Sequence, residues 1–326
     1  MKKVTIGIPV YNDAKNIGHC LETIINQSFP FSDIEIICVD DGSTDQTPSI
    51  IKEYQKKHNI NGNINYLRHE NTGNPTKARN RIIESAEGEY IFFVDGDDYI
   101  GLEAVEKMYT LGKRKNAEVV IGRYKGVNRG VPVVMFQKNK ESTNFFDSNV
   151  IDSLNVLKMF KTKFLREHNI KFNPNINHAE DHPFTMKAYL YANVISIVND
   201  YDCYYWTRYT DGNRTQMTKQ LISVAEFYKY FYETLDTIRG LELDDDRKIK
   251  ALAKYWRRLL IADIPNEFRR NRTDEDKRHS YATVSEIANK YINHSILNNL
   301  SEKEVFYHKL ISNGDYELFD AYQKVK

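Results

Sequence analysis

Short apolar runs alternate with amphipathic stretches along the first hundred residues of the chain. The first run, residues 4–10, is followed by apolar residues at positions 17, 21, 24 and 25, which have the spacing of a helix. Similar runs follow at residues 34–39, 64–67 and 90–94, separated by polar loops and helical stretches. This alternation predicts a mostly parallel α/β sheet with right-handed crossovers, of the Rossmann-like kind that binds nucleotides.

The pattern changes in the second half of the chain. Residues 117–122 predict a fifth strand, 131–136 a short extended segment and 153–164 a helix. Beyond about residue 212 amphipathic helices predominate, and we predict them at 221–238, 245–264, 284–291 and 301–324. We therefore expect an α/β domain over residues 1–212, followed by a smaller α-helical domain over residues 213–326 for acceptor binding or oligomerisation.

Composition excludes several classes of protein. Forty-six lysines and arginines against 45 acids leave a formal charge of +1, so no overall field attracts nucleic acid or an anionic membrane. The three cysteines, Cys20, Cys38 and Cys203, form no metal-binding pattern and suit reduced core thiols. Because no signal peptide and no run of 18 apolar residues is present, we expect a cytoplasmic protein without a transmembrane segment, able to lie at the inner face of the membrane.

Polar residues stand where three of the predicted strands end. Tyr11 follows the first strand, Asp40 and Asp41 the second, and Asp95 and Asp97 the fourth. Since the carboxyl ends of parallel strands open on the ligand crevice, these acids can hold a metal, Mg²⁺ or Mn²⁺, and a phosphorylated ligand. Neither glycine-rich phosphate motif is present, which argues against dinucleotide and P-loop chemistry. Taken alone, the acids could equally form solvated turns, and Tyr11 could be an aromatic residue at the rim.

Five segments resemble, in their order along the chain, the motifs of the GT-A fold, family 2 inverting glycosyltransferases. The resemblance covers about residues 1–210, and its segments are Ile8-Pro-Val-Tyr-Asn12, Val39-Asp-Asp-Gly-Ser-Thr-Asp45, Ala78-Arg-Asn80, Gly88-Glu-Tyr-Ile91 and Val94-Asp-Gly-Asp-Asp98. It implies that a UDP moiety is contacted by Pro9, Tyr11, Asp41, Asn71 and Arg79. It further implies that Asp97 is the metal ligand and that Asp95 holds the ribose or the donor sugar.

A sixth segment, which begins at Glu180 and ends at Phe184, resembles the E-D-x-x-F segment of the same family. The resemblance implies that Asp181 is the catalytic base and that Glu180 lies beside the sugar. Inversion at C1 needs a base opposite the leaving UDP, to take the proton of the acceptor hydroxyl. The resemblance also implies that Arg208 contacts a phosphate group of the donor. Alternatively, Glu180 and Asp181 are only acids favoured by the dipole at a helix start. The alternative for Arg208 is an ordinary surface arginine.

Within the family, residues 71–80 and 125–132 are most similar to staphylococcal wall teichoic acid enzymes. Those enzymes attach GlcNAc to poly(ribitol phosphate), which implies UDP-GlcNAc as donor and a polyanionic ribitol-phosphate polymer as acceptor. A transferase for capsule or lipid-linked oligosaccharide is the alternative among enzymes. A GT-A-like module that binds a nucleotide sugar or a polymer without turnover is the non-enzymatic alternative.

The predicted helical domain carries two further features. Lys250, Lys254 and Arg258 follow each other at four-residue intervals and form one stripe of positive charge. A phosphodiester polymer could lie along this stripe, although a solvated helix face explains it as well. The last helices carry more apolar surface than one domain easily buries, which predicts a homo-oligomer, a trimer by the resemblance. These residues are Val305, Phe306, Leu310, Ile311, Leu318, Phe319 and Tyr322.

Overall fold

The structure, a computed structural model, describes residues 2–58, 62–137, 140–209 and 222–325. The chain divides into two compact units, Met1–Thr215 and Gln216–Lys326. The domain boundary predicted near residue 212 lies outside the described residues. None of the described helices is both long and apolar enough to cross a membrane.

One mixed, mostly parallel sheet forms the centre of the first unit. Its strands are β1 (Val4–Val10), β2 (Ile34–Asp40), β3 (Ile64–Arg68), β4 (Tyr90–Phe93), β5 (Tyr99–Ile100), β6 (Val119–Val127), β7 (Met159–Lys161) and β8 (Ile195–Thr207). Across the sheet they lie in the order β3-β2-β1-β4-β7-β6-β8-β5. The first four strands pair in parallel, as predicted, whereas β7 runs antiparallel to both β4 and β6.

Helices connect the strands of the first unit. They are α1 (Ile17–Ile25), α2 (Thr47–His58), α3 (Thr76–Ser85), α4 (Ala104–Lys115), α5 (Thr162–Glu167) and α6 (Asp181–Tyr191). The apolar spacing explains why α1 packs on the sheet, because Ile17, Leu21 and Ile24 are all buried. The sequence also suggests a capping box of Ser43 and Gln46 before α2. That prediction is wrong, because Ser43 Oγ accepts the Asn12 N–H instead, at 2.9 Å.

Two of the secondary-structure predictions for the stretch between β6 and α5 are wrong. Residues 134–136 form a turn of 3-10 helix instead of an extended segment. The helix predicted over residues 153–164 is a loop, followed by β7 and by the start of α5. The reason is tertiary: residues 159–161 fill the sheet between β4 and β6, where strand pairing outweighs the helical spacing of the apolar residues.

The second unit is helical, as predicted. Its α-helices are α7 (Val224–Gly240), α8 (Asp245–Arg258), α9 (Ile264–Phe268), α10 (Asp274–Tyr291), α11 (His294–Leu297), α12 (Glu302–Ser312) and α13 (Tyr316–Val325), with a π-helical segment, Leu259–Asp263, between α8 and α9. Side chains cap several of their starts, and Ser301 with Glu304 forms a full capping box at α12. The helix predicted over residues 301–324 is divided at Gly314, whose φ is +80°.

Candidate active site

The loops that follow β1 and β2 are fastened to each other. Asn12 adopts a left-handed conformation with φ +52°, and its Oδ1 accepts the Thr44 N–H at 2.8 Å. The next residue, Asp13, donates its N–H to Thr47 Oγ1 at 2.7 Å. Pro9 is buried within β1, whereas Tyr11 is 45% exposed at the strand end. Tyr11 therefore presents an accessible aromatic ring at the carboxyl edge of the sheet.

Asp41 anchors a third loop at the same edge. Its Oδ1 lies 2.8 Å from His69 Nε2 and accepts both the N–H and the hydroxyl of Thr72, at 2.9 and 2.8 Å. These bonds hold residues 69–75 against the end of β2, although none of them reaches Oδ2 of Asp41. Asn71 is exposed in this loop and accepts the Gly73 N–H at 2.9 Å. The loop brings Asn71 close to Asp41, so that both residues could contact the same ligand.

Arg79 joins two of the predicted carboxylates. Its buried guanidinium donates to Glu180 Oε1 at 2.7 Å and to Asp95 Oδ1 at 3.1 Å. It also lies 5.5 Å from the centre of the Phe172 ring. Burial alone lowers the pKa of Arg79, but Asp95 first and Glu180 next outweigh it and raise that pKa above its ordinary value. Arg79 is thus a fixed cation that holds together acids 85 positions apart in sequence.

The neighbouring Asn80 explains how this arrangement is held. Its side chain donates to the Phe172 carbonyl at 2.9 Å and accepts the Phe172 N–H at 2.8 Å. A side-chain amide that pairs with both backbone groups of one residue fixes that residue as a strand partner would. The same stretch of chain leads on to Asn177, which accepts a hydrogen bond from Asn74 at 2.5 Å. The loop before Glu180 is therefore fastened to α3 and to the 69–75 loop.

Asp98, the third acid after β4, has a structural position. It is buried, and it accepts the Tyr204 hydroxyl at 2.8 Å and the Thr207 N–H at 2.7 Å. Burial first, and then the charges of Asp97 and Asp95, raise the pKa of the Asp98 carboxyl well above its ordinary value. The three acids therefore repel one another, and the Asp98 oxygens are engaged by β8.

Asp181 begins α6 at a strained turn. Ala179, two residues before it, has φ +51°, a conformation that costs an L-residue about 1–2 kcal/mol. The Asp181 side chain is half-buried. Burial, followed by the charge of Glu180, raises the pKa of the Asp181 carboxyl to about 7, against the opposing effect of Arg79. A carboxylate with this pKa can accept a proton near neutral pH.

The acids after β4 fit a divalent cation. Asp97 is half-buried, and its backbone oxygen accepts the Tyr209 hydroxyl at 2.8 Å. Mutual repulsion among Asp95, Asp97 and Asp98 is the kind of field that a hard cation relieves. Within the described ranges, no three His, Cys, Asp or Glu side chains could hold a metal by themselves. Diphosphate and water oxygens would therefore have to complete the coordination of Mg²⁺ or Mn²⁺.

Arg129, which is not among the predicted site residues, interacts electrostatically with Asp97 and Asp98. Its guanidinium carbon is 3.5 Å from the centre of the Trp206 ring. Burial first and Arg208 second lower the pKa of Arg129, while Asp98 and Asp97 act in the opposite direction. Arg208 is exposed, and its backbone N–H donates to the Val127 carbonyl at 2.9 Å. Two arginines at the acidic end of the sheet offer charge for phosphate groups.

The family described as glycosyl transferase family 2 matches residues 5–179, which is more than half of the chain. The chain belongs to this family. Among curated proteins, this family 2 chain is 38% identical over 286 residues to a poly(ribitol-phosphate) beta-glucosyltransferase of Bacillus spizizenii, covering 87% of this chain and 44% of that protein. It is 35% identical over 269 residues to the poly(ribitol-phosphate) beta-N-acetylglucosaminyltransferase TarS of Staphylococcus aureus, covering 82% and 46%. It thus spans less than half of either relative.

Solved structures extend the likeness to nearly the whole family 2 chain. It matches S. aureus TarS 1–349 in complex with UDP-GlcNAc with a TM-score of 0.89 and 29% identity, over 100% of this chain and 93% of that one. A mannosyltransferase of Pyrobaculum calidifontis, in complex with GDP-Man and Mn²⁺, matches with a TM-score of 0.55 and 16% identity, over 99% and 87%, which shows the fold alone. The prediction of a GT-A fold followed by a helical C-terminal region is confirmed.

The predicted acceptor residues of the family 2 chain lie on α8 in the second unit. Lys250 is exposed and pairs with Asp246 at 2.6 Å, and this hydrogen bond raises the pKa of Lys250. Lys254 and Arg258 are half-buried, and Arg258 lies 3.6 Å from Asp263. Since Lys250 and Arg258 have acidic neighbours, the positive charge of the stripe is weaker than the sequence suggests.

Proposed function

We propose that the chain transfers a sugar, with inversion, from a UDP-sugar to a ribitol hydroxyl of poly(ribitol phosphate). Membership of glycosyl transferase family 2 supports the reaction type, and the names of the two relatives support the acceptor. The observation that carries the proposal is the Arg79 bridge between Asp95 and Glu180, because it brings the acids after β4 to the start of α6. A donor-side group and the candidate base Asp181 thereby face one reaction centre.

Asp181 acts as the base in this proposal. The acceptor hydroxyl oxygen forms a bond to C1 of the sugar while its proton moves to the Asp181 carboxylate. The bond between C1 and the UDP oxygen breaks, and its electron pair leaves with UDP. The pKa of about 7 supports this role, because it makes the carboxylate a better proton acceptor than an ordinary aspartate. Glu180, fixed by Arg79, lies beside the sugar.

The edge formed by β1, β2 and the 69–75 loop binds UDP in this proposal. Tyr11 offers an exposed ring for stacking on uracil, next to Pro9. Asp41 is held by His69 and Thr72 through Oδ1, so that Oδ2 can accept the uracil imino N–H. Asn71 completes this edge, and Asp95 holds the ribose or the sugar.

Asp97 would hold Mg²⁺ or Mn²⁺ together with the donor diphosphate. When bound, the cation neutralises charge that develops on the leaving diphosphate. Arg129 and Arg208 supply further positive charge for phosphate groups, because Arg129 interacts electrostatically with Asp97 and Asp98 and also with Arg208. On the acceptor side, Lys250, Lys254 and Arg258 contact phosphates of the polymer.

The proposal has two forms, which differ in the donor sugar. In the first the sugar is GlcNAc, and in the second it is glucose. The similarity to TarS with UDP-GlcNAc supports GlcNAc. The Bacillus spizizenii relative, at 38% identity, is a beta-glucosyltransferase and supports glucose. A difference of one acetamido group can depend on few side chains, so both donors have to be compared directly.

The test is UDP release from UDP-GlcNAc and from UDP-glucose, with a ribitol-phosphate polymer as acceptor. We expect turnover with one donor at least tenfold above the other, loss of most turnover in excess EDTA, and restoration by Mn²⁺ or Mg²⁺. Full activity in EDTA would remove the metal from the proposal. Calorimetry that shows UDP-sugar binding without any UDP release, with the polymer present, would favour the non-catalytic alternative.

A further inference from the structure

A lysine stands in the interior of the first unit and is not used by the proposed reaction. Lys158 has no exposed surface and lies directly before β7. Lysine is almost never buried to this extent, because an ammonium loses its hydration there. An apolar side chain of similar volume would usually fill such a position at least as well. A cation buried at this cost points to a role for its charge.

The ammonium of Lys158 organises the segment that precedes it. It donates to the backbone carbonyl of Asn155, to Asn155 Oδ1 at 2.8 Å and to Ser153 Oγ at 3.3 Å. The rings of Tyr124 and Tyr189 stand 5.8 and 5.9 Å from it. Residues 153–158 are therefore closed into a loop around one positive charge. This is the region in which the sequence pattern suggests a helix.

One face of α6 lies against this loop. Positions 181, 185 and 189 are four residues apart and so follow each other along a single helix face. Thr185 Oγ1 donates to the Asn155 carbonyl at 3.3 Å, the same oxygen that accepts from Lys158. Tyr189 donates its hydroxyl to the Ser153 carbonyl at 2.9 Å. Two members of this face are thus attached to the loop, and the remaining member is Asp181.

We propose that Lys158 is the positioning residue of Asp181: its buried ammonium closes the 153–158 loop and, through Thr185 and Tyr189, fixes the helix α6 that begins at Asp181. The charged groups that act on Asp181 are Glu180 on its own helix, Arg79 from α3 and Lys158 from this loop. Burial and Glu180 raise the pKa of Asp181, whereas Arg79 and Lys158 lower it. Arg79 also pairs with Asp95 and Glu180, so a substitution at Lys158 tests the effect of charge on Asp181 while those two pairs stay in place.

This inference rests on the proposed function, and the pH profile of turnover tests it. In the wild type, kcat rises with pH through about 7, and Asp181→Asn abolishes this limb. Lys158→Met removes the charge at similar volume, and Lys158→Gln also keeps a hydrogen-bond donor. In both variants we expect the midpoint of the limb to rise by about 0.5–1 unit, so that kcat at pH 6.5 falls about 3–10-fold more than kcat at pH 9.

Thr185→Val is the matched control, because it removes the bond to the Asn155 carbonyl and leaves the charge. It should lower kcat at least threefold at every pH, with an unmoved midpoint, and leave the Kd for UDP unchanged. An unmoved midpoint in a folded Lys158 variant would overturn the electrostatic role. If neither Lys158 variant folds, full kcat in Thr185→Val together with Tyr189→Phe would overturn the positioning role. Absence of any turnover in the wild type would instead count against the proposed function.

Discussion

At the residue scale, Asp181 occupies a position where two physical effects have opposite consequences for stability. An acid in the first turn of a helix ordinarily stabilises it by about 0.3–1 kcal/mol through the helix dipole. Here burial and Glu180 raise the pKa of Asp181 to about 7, so the ionised form is disfavoured in the folded protein. The folded state then holds the proton more tightly than the unfolded state between about pH 4 and 7. Stability from this group is present at low pH and lost as the pH rises through 7.

Asp181→Asn should therefore separate catalysis from stability. We expect kcat to fall by about 10² to 10⁴, the usual range for loss of a general base, while UDP-sugar affinity barely changes. We expect the free energy of unfolding at pH 8.5 to rise by about 1–3 kcal/mol relative to wild type, because the neutral amide does not have to be ionised in a half-buried position. At pH 5 the difference should shrink to about a third of its value at pH 8.5, because the unfolded carboxyl has already ionised there while the folded one still holds its proton. Turnover by UDP release and denaturant unfolding at both pH values are the measurements.

Asp245→Asn provides the matched control. Asp245 is also the first residue of a helix, α8, but it is exposed. Its replacement should lower stability by about 0.3–1 kcal/mol at both pH values, without an effect on kcat. Near-normal turnover of folded Asp181→Asn would assign the base to another residue. A loss of stability at pH 8.5 would show that Asp181 is an ordinary helix-start acid.

Single residues of the site differ in how far the sequence predicts them. Asp95, Asp97 and Asp181 belong to short sequence segments at the ends of predicted strands or helices. For these residues the sequence therefore predicts both the residue type and its place in the fold. Arg129 could not be found in this way, because its signal is a stack on Trp206, 77 positions away, and no local pattern encodes that contact. Lys158 was missed for a related reason. Its burial depends on β7 entering the sheet between β4 and β6, which a one-dimensional apolar pattern does not contain.

At the scale of elements, the loop between β3 and α3 depends on a close approach at Gly42. This residue has φ +79°, and a Cβ atom there would lie 2.7 Å from the Asn71 backbone nitrogen. Gly42→Ala would therefore add backbone strain and also push the 69–75 loop away from Asp41. We expect about 1–3 kcal/mol of lost stability and at least tenfold weaker UDP binding, measured by denaturant unfolding and calorimetry.

Gly73→Ala is the control for this prediction. Gly73 lies in the same loop and also has φ +79°, but a Cβ atom there would meet nothing within 4 Å. It should show the cost of backbone strain, about 1 kcal/mol, with UDP affinity within about twofold of wild type. Equal losses of affinity in the two variants would mean that the contact between Gly42 and Asn71 does not position the loop.

Elements were predictable where local pattern and tertiary environment agree. The strands β1, β2 and β4 are short apolar runs and are buried on both faces, so burial itself produces the pattern that predicts them. Residues 153–164 show the opposite case. Their apolar spacing resembles a helix, yet the central position of β7 and the ammonium of Lys158 determine an irregular loop and a strand. The helix predicted to start at 284 instead begins at Asp274, since Thr273 caps it and the polar first turns carry no apolar signal.

At the scale of the whole molecule, the structure revises the surface on which oligomerisation was predicted. Leu310, Ile311 and Phe319 are buried within the second unit, where the Phe319 ring packs 4.8 Å from Phe268 and 5.1 Å from Tyr281. These three residues therefore belong to a core, which could not be foreseen because helical spacing does not reveal which neighbours a face meets. A smaller exposed apolar surface remains, and the prediction of a homo-oligomer now depends on it.

The remaining surface consists of Phe306 and Leu318, which are exposed, and of Val305 and Tyr322, which are half-buried. Phe306 is 52% exposed and Leu318 48% exposed, and the rings of Phe306 and Tyr322 lie 5.8 Å apart. Leu318 and Tyr322 are four residues apart on α13 and so share one face. We expect a homo-oligomer that uses this face, and the double variant Phe306→Glu with Leu318→Glu should shift the protein to a smaller species at micromolar concentration. Charge repulsion across a symmetric contact is the physical reason, since the same patch meets itself or its neighbour in each copy.

Light scattering coupled to size exclusion measures this shift, and Leu102→Glu with Val133→Glu is the matched control. Those two residues are 58% and 57% exposed in the first unit, so the control adds the same charge to equally exposed apolar positions. The control should keep the wild-type mass, and both variants should retain the wild-type circular dichroism spectrum. A monomeric wild type would contradict the oligomer itself. An oligomer that persists in the Phe306/Leu318 variant would place the interface on another surface and leave these residues as isolated exposed side chains.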